Sequence, residues 1–238
     1  MLDLATERGR LISAALGLAA ERRWEDVSLA DIAERAGCPL VSLKAHFDGK
    51  GAIIAAFASL VDDEVLRRAP RRAEGEAARD ALFEAIMCRF DVLEPFKGAL
   101  RSMARDASLD PARVAPLLNS QRWTLEAAGI SADGLEGGLR VAGVASVYAA
   151  TFRTWLDDDD AGLARTMAAL DRRLRRGEQL LHRLKDVRAG IAGVLDFLSG
   201  ARRSRRSRSD PTTDEPAQRE AAPQPQPHPA GPSAPTSI

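Results

Sequence analysis

The residues whose types and spacing could do chemistry concentrate between Ser28 and Phe47. If Leu43 and Phe47 face a core, Pro39, Leu40, Ser42, Lys44, Ala45 and His46 are left on the outer side of one short helix. A hydroxyl, an ammonium and an imidazole on an exposed helix can bond and pair with anionic oxygens. They do not form a catalytic set. His46, His182 and His228 have no serine or cysteine partner in a recognisable arrangement, so no enzyme activity is expected. Cys38 and Cys88 lie far apart with no CxxC pair or Cys/His cluster, so no metal site is read and no cofactor is implied. The run Asp157 to Asp160 lacks the spaced oxygens and the bidentate glutamate of a calcium loop, and reads as a solvated loop and helix start.

The elements that position the Ser28–Phe47 stretch are written locally. Ser28 is a helix N-cap with Asp31 three residues on, a capping-box-like pair. Gly37 ends that helix, and Pro39 stands where the next one starts. Asp48-Gly49 ends the short third helix, and Lys50 begins a fourth. Apolar residues recur at helical spacing through Leu11, Ala15, Leu18 and Ala19, then Leu29, Ile32 and Ala33, then Ile53, Ile54 and Phe57. Small Ala33 and Ala36 allow two helices to approach closely. The stretch satisfies the needs of a helix-turn-helix, whose second helix enters a major groove. The plainer alternative is a helical hairpin in some other fold.

These residues resemble the TetR family of transcriptional regulators. The matching pieces are Trp24, Ser28, the string from Asp31 to Gly37, Ser42-Leu43, His46-Phe47, Lys50 and the apolar run after it. The resemblance implies an all-α homodimer: a three-helix head at 4–66, a helical ligand-binding and dimerisation domain at 76–199, and duplex DNA as partner. It implies a repressor that reads a palindromic operator until a small ligand binds. Carried over residue by residue, Ser28 and Ser42 would donate to phosphates, and Lys44 and Lys50 would pair with phosphates, Lys44 also with a guanine edge. His46 would approach the backbone, and Leu40, Val41 and Ala45 could meet thymine methyls. Pro39 completes the outward set. Lys44 stands where the family usually has tyrosine, Gly51 where it has glutamate, and Arg23 where glycine is common. The first sixty residues hold seven bases (Arg8, Arg10, Arg22, Arg23, Arg35, Lys44, Lys50) against eight acids (Asp3, Glu7, Glu21, Glu25, Asp26, Asp31, Glu34, Asp48), which weakens steering toward DNA.

The rest of the chain is equally helical in pattern. Net charge is zero and aromatics are 5%, with Ala, Leu and Arg abundant. Ala69 to Gly75 reads as a connector. Breaks at Pro95, Asp110-Pro111, Gly129 through Gly138 and Asp157 through Asp160 delimit four or five helices up to Arg176. Phe83, Met87, Phe90, Trp123, Tyr148, Phe152 and Trp155 are either core or the lining of a pocket for a small apolar ligand or lipid. The stretches 81–91, 121–130, 154–158 and 166–171 resemble the helical domain of the ubiquinone-biosynthesis accessory proteins. Those share the TetR-type fold, bind lipid and do not regulate transcription. Leu180, Leu184, Val187, Ile191, Val194 and Leu198 make an apolar stripe within 178–199, suited to a dimer interface or to a membrane surface. Arg202 to Arg208 and the Pro/Ala/Gln/Ser-rich remainder of 200–238 read as a disordered tail. The longest apolar run, Val141 to Phe152, is too short to span a bilayer, and the chain reads as cytoplasmic.

Overall fold

The first helix, α1 (Glu7–Glu21), starts where Thr6 turns its hydroxyl oxygen back onto the backbone N–H of Gly9 at 3.1 Å. Its face of Leu11, Ile12, Ala15, Leu18 and Ala19 is buried. A 3₁₀ turn at Trp24–Asp26 leads to α2 (Leu29–Arg35), α3 (Leu40–His46) and α4 (Lys50–Arg68). After an exposed connector at 69–77 come α5 (Ala78–Leu93), a 3₁₀ turn at Glu94–Phe96, α6 (Lys97–Arg105), α7 (Val114–Ala127), α8 (Gly134–Leu156) and a last helix, α9, at 164–179. This computed structural model describes residues 3–105 and 114–179, which contain helices and turns and no strand. The expectations for the stripe from Leu180 to Leu198, for Arg202 to Arg208 and for the tail lie outside the described residues.

The helix α4 serves both ends of the molecule. It packs on α1 in the head, and on α5 and α7 in the body. A second seam joins α1 to α6. There Ser102 accepts from the backbone N–H of Trp24 at 3.0 Å and donates to the carbonyl of Arg22 at 3.1 Å. Head and body are therefore stitched by one continuous helix and by one hydroxyl that satisfies both a donor and an acceptor left over where α1 ends.

The body core centres on four aromatic rings. Phe90 stacks on Tyr148 (5.6 Å between centroids) and on Trp155 (5.3 Å), and Phe152 closes the set against Tyr148 and Trp155. Phe90 and Trp155 are fully buried. The indole N–H of Trp155 donates to Glu94 at 3.1 Å, and the Lys97 ammonium lies 4.9 Å from its ring while donating to the Asp158 carbonyl.

Two sequence expectations change here. The break expected from Gly129 through Gly138 is shorter, because α8 already begins at Gly134 with Asp133 as its N-cap residue. Gly137 sits inside the helix for a packing reason: a Cβ there would come within 2.2 Å of the Ala132 backbone. The Asp157–Asp160 run is not uniformly solvated. Asp158 is 1% exposed and accepts from the Thr166 N–H (2.9 Å) and hydroxyl (2.7 Å), capping the start of α9 from within.

Candidate nucleic-acid interface

The α2–turn–α3 unit is set by local bonds. The Ser28 hydroxyl accepts from the Asp31 N–H at 3.1 Å, and the Asp31 carboxylate accepts from the Ser28 N–H at 2.9 Å, a complete capping box. The Asp31 carboxyl is held below the usual carboxylate range by these bonds from the Ser28 backbone and side chain, with Arg22 adding its charge. At the other end, Gly37 takes φ +66°. The Cys38 N–H then reaches the Ala33 carbonyl (2.9 Å), and the Gly37 N–H reaches that of Glu34 (3.0 Å). This is a Schellman closure, and the left-handed residue in its middle favours glycine. Pro39 is the N-cap of α3, extended at ψ 150°, and so precedes the first turn rather than occupying it.

Ile32 and Ala33 on α2, Leu43 on α3 and Phe47 just beyond it are buried, which fixes the outward face of α3. Pro39, Leu40, Val41, Lys44, Ala45 and His46 are exposed, and Ser42 is half-buried. Val41 is 72% exposed and Leu40 52%. Ser28 is exposed, and its hydroxyl, having accepted from Asp31, still has a proton to donate. The structure thus brings these eight residues to the surface of one helix-turn-helix unit.

Lys50, expected at a phosphate, is engaged within the head. Its ammonium donates to the carbonyls of Trp24 (2.6 Å) and Val27 (2.8 Å) and lies 4.4 Å from the centre of the Trp24 ring. The first residue of α4 thereby closes the 3₁₀ turn, and two of its three donors are committed to the protein itself.

The charge balance of the head also reads differently in three dimensions. Arg35 pairs with Glu21, Arg22 with Asp31 and Arg23 with Glu25. Arg10 donates to the Ala5 carbonyl at 3.3 Å. None of these involves α3. Among the described residues Lys44 has no ion-pair partner, and the exposed Arg8 lies over the Phe47 ring at 5.7 Å, beside the end of α3. Sequence reasoning passed over Arg8; its place one residue into α1 gave no sign that this turn meets α3. Glu7 touches the face, its Oε2 3.1 Å from His46 Nε2. Hydrogen bonding to His46, then to Cys38, holds the Glu7 carboxyl below its ordinary value.

The seven aromatic and Met residues do not gather into one pocket. Phe90, Tyr148, Phe152 and Trp155 fill the core against one another. Phe83 and Met87 are half-buried on an edge of α5, where Phe83 helps line a surface groove of about 460 Å³ with Met167 and Leu174 of α9. Trp123 stands apart, 43% exposed on α7.

Residues 11–57 match the family model described as bacterial regulatory proteins, tetR family. The described fold is similar to a TetR transcriptional regulator from Nitrosomonas europaea ATCC 19718, at 24% identity and a TM-score of 0.57, over 73% of this chain and 99% of that one. It is similar also to a TetR regulator from Rhodococcus sp. RHA1, at 18% identity and a TM-score of 0.57 over 72% and 94% of the two chains. A TetR-family regulator from Streptomyces coelicolor matches at 18% identity and a TM-score of 0.50, over 79% and 91%. No curated protein matches significantly. The head is a TetR-family helix-turn-helix domain, and the chain carries the TetR-regulator fold. Among the described residues no helix is long and apolar enough to cross a membrane.

Proposed function

We propose that this protein is a DNA-binding transcriptional repressor that reads a palindromic operator as a homodimer and is released by a small ligand bound in its helical body. The observation that carries the reading is the outward face of α3. Leu40, Val41, Lys44, Ala45 and His46 are exposed together on a helix whose opposite side is locked by Leu43. Lys44 supplies a cation to a phosphate or a guanine edge, the aliphatic side chains meet thymine methyls, and Ser28 and Ser42 donate to phosphates. Arg8 joins them as a phosphate contact.

Pairing of two chains is supported by α8. Leu135 is 93% and Leu139 70% exposed, and Ala142, Gly143 and Ser146 continue that side of the helix at three- and four-residue steps. Such a face, apolar at one end and small along its length, lets a second helix approach closely.

The test is selection of random duplex DNA by the purified full chain at moderate salt, with its mass in solution measured in parallel. An enriched palindrome bound by a dimer is the expected result. A folded dimer that enriches nothing overturns the DNA reading. A monomer that persists at micromolar concentration overturns the pairing through α8.

A further inference from the structure

Nothing in DNA reading explains the buried ion pair in the body. Asp62 of α4 is 6% exposed and Arg89 of α5 is 3%. One Arg89 nitrogen, Nη2, donates to Asp62 Oδ1 at 2.5 Å and also to the Ser120 hydroxyl of α7, which itself donates to the same Asp62 oxygen at 2.5 Å. The other terminal nitrogen reaches the Thr124 hydroxyl only at 3.4 Å. The guanidinium lies over the Tyr148 ring, 5.6 Å from its centre.

The site is incompletely satisfied. Arg89 Nε is buried and has no hydrogen-bond partner. Gln121, the residue after Ser120 on α7, is 0% exposed, and neither its carboxamide oxygen nor its nitrogen has one. Buried polar groups left unmet are rare and unfavourable. A guanidinium holds a carboxylate best through two parallel bonds, from Nε and one Nη or from both Nη. Asp62 takes only one bond from the guanidinium, from Nη2, so the fork is half used. Another carboxylate could take the whole fork without leaving a buried cation uncompensated, because one anion replaces another. Tyr148 continues into the stack with Phe90, Phe152 and Trp155, so a body carried on that acid would meet flat apolar side chains.

We infer that Arg89 is the anchor of the ligand site, and that the ligand is a carboxylic acid with a flat apolar body whose carboxylate takes Nε and Nη2 in place of Asp62. This rests on the regulatory reading above and names the ligand class for it. Asp62 rides on α4, the helix that carries Lys50 and the head. Its displacement loosens α4 from α5 and α7, and the ligand gains its room as α4 withdraws. The ligand therefore binds the loosened state more tightly than the closed one, as a population shift requires.

The experiment titrates the full chain with benzoate and 2-naphthoate against their neutral amides. It follows the thermal midpoint and tryptophan emission, since Trp155 stacks directly on Phe90. The acids are expected to raise the midpoint and change the emission where the amides do not. Asp62→Asn removes the charge of the resident competitor and should bind the acids at least tenfold tighter. The double variant D62L/R89M replaces the pair with apolar groups of similar size and should lose the acid response. Acids no better than their amides on the wild type and on Asp62→Asn overturn the assignment, as does an acid response that survives in D62L/R89M. If Asp62→Asn does not fold, the wild type and the double variant decide. DNA selection by the ligand-free wild type is scored separately. An enriched palindrome with no acid response removes the ligand assignment alone, and an acid response with no enriched DNA removes the regulatory reading alone.

Discussion

Lys50 and Trp24 hold the head in register: the ammonium that opens α4 donates to the Trp24 carbonyl and sits 4.4 Å from the centre of the same residue's ring. One side chain meets both the polar and the aromatic part of its partner. Lys50→Ala strips a charged donor from two carbonyls, of Trp24 and Val27. A hydrogen bond to a charged group contributes about 2 kcal/mol, so the variant should unfold at clearly lower denaturant. Chemical denaturation followed by tryptophan emission checks this. A midpoint equal to wild type would return Lys50 to the surface.

Lys44→Ala should behave oppositely. The side chain is exposed and has no ion-pair partner among the described residues, so stability stays within about 0.5 kcal/mol of wild type. Operator affinity falls, and the slope of log affinity against log salt shrinks by about 1 for each protomer. Titrations at three salt concentrations measure it; an unchanged slope removes Lys44 from the phosphate contacts.

Asp62→Ala leaves the Arg89 guanidinium buried without its counter-charge, which costs about 3–5 kcal/mol. D62L/R89M should recover most of that loss, because apolar groups of matching volume need no partner. Urea unfolding of the three proteins tests the ordering. A double variant as unstable as the single one would show that the damage is steric.

The capping carboxylate gives a pH dependence of known sign. The Asp31 pKa is lowered in the folded chain by hydrogen bonds from Ser28. Its contribution is therefore fully present above the ordinary carboxylate value of about 4, and is lost as the pH falls through the lowered folded value. Asp31→Asn should be less stable than wild type at pH 7, with the gap closing below about pH 4. Urea midpoints between neutral and acidic pH read it directly, and a gap that widens in acid contradicts the assignment.

The head was legible in the sequence because its instructions are local. Ser28 with Asp31, Gly37 and Pro39 each act within a few residues, and the structure uses all four at the helix ends. The bonds of Lys50 within the head were not legible because its acceptors are 26 and 23 residues away, a relationship no local pattern carries. The same holds for Asp62 with Arg89, 27 residues apart, and for Asp158, whose run of four acids looked solvated while one of them turned inward. A net count of charge could not reveal that Arg22, Arg23 and Arg35 are engaged with acids away from α3. The aromatic residues showed that a core exists. They did not show that four of them would close on one another while Trp123 turned outward.

The Ser102 stitch has a practical consequence for domain grafting. A chimera cut at the connector 69–77, with this head transplanted onto a foreign body, would keep Lys50 with its own carbonyls and α4 intact. It would nevertheless leave the Trp24 N–H and the Arg22 carbonyl without the hydroxyl that serves both. Interchangeability of heads in this architecture thus depends on positions well outside the head: a body that accepts this one needs serine or threonine at the equivalent place on its sixth helix and a partner for the Asp62 that travels with α4.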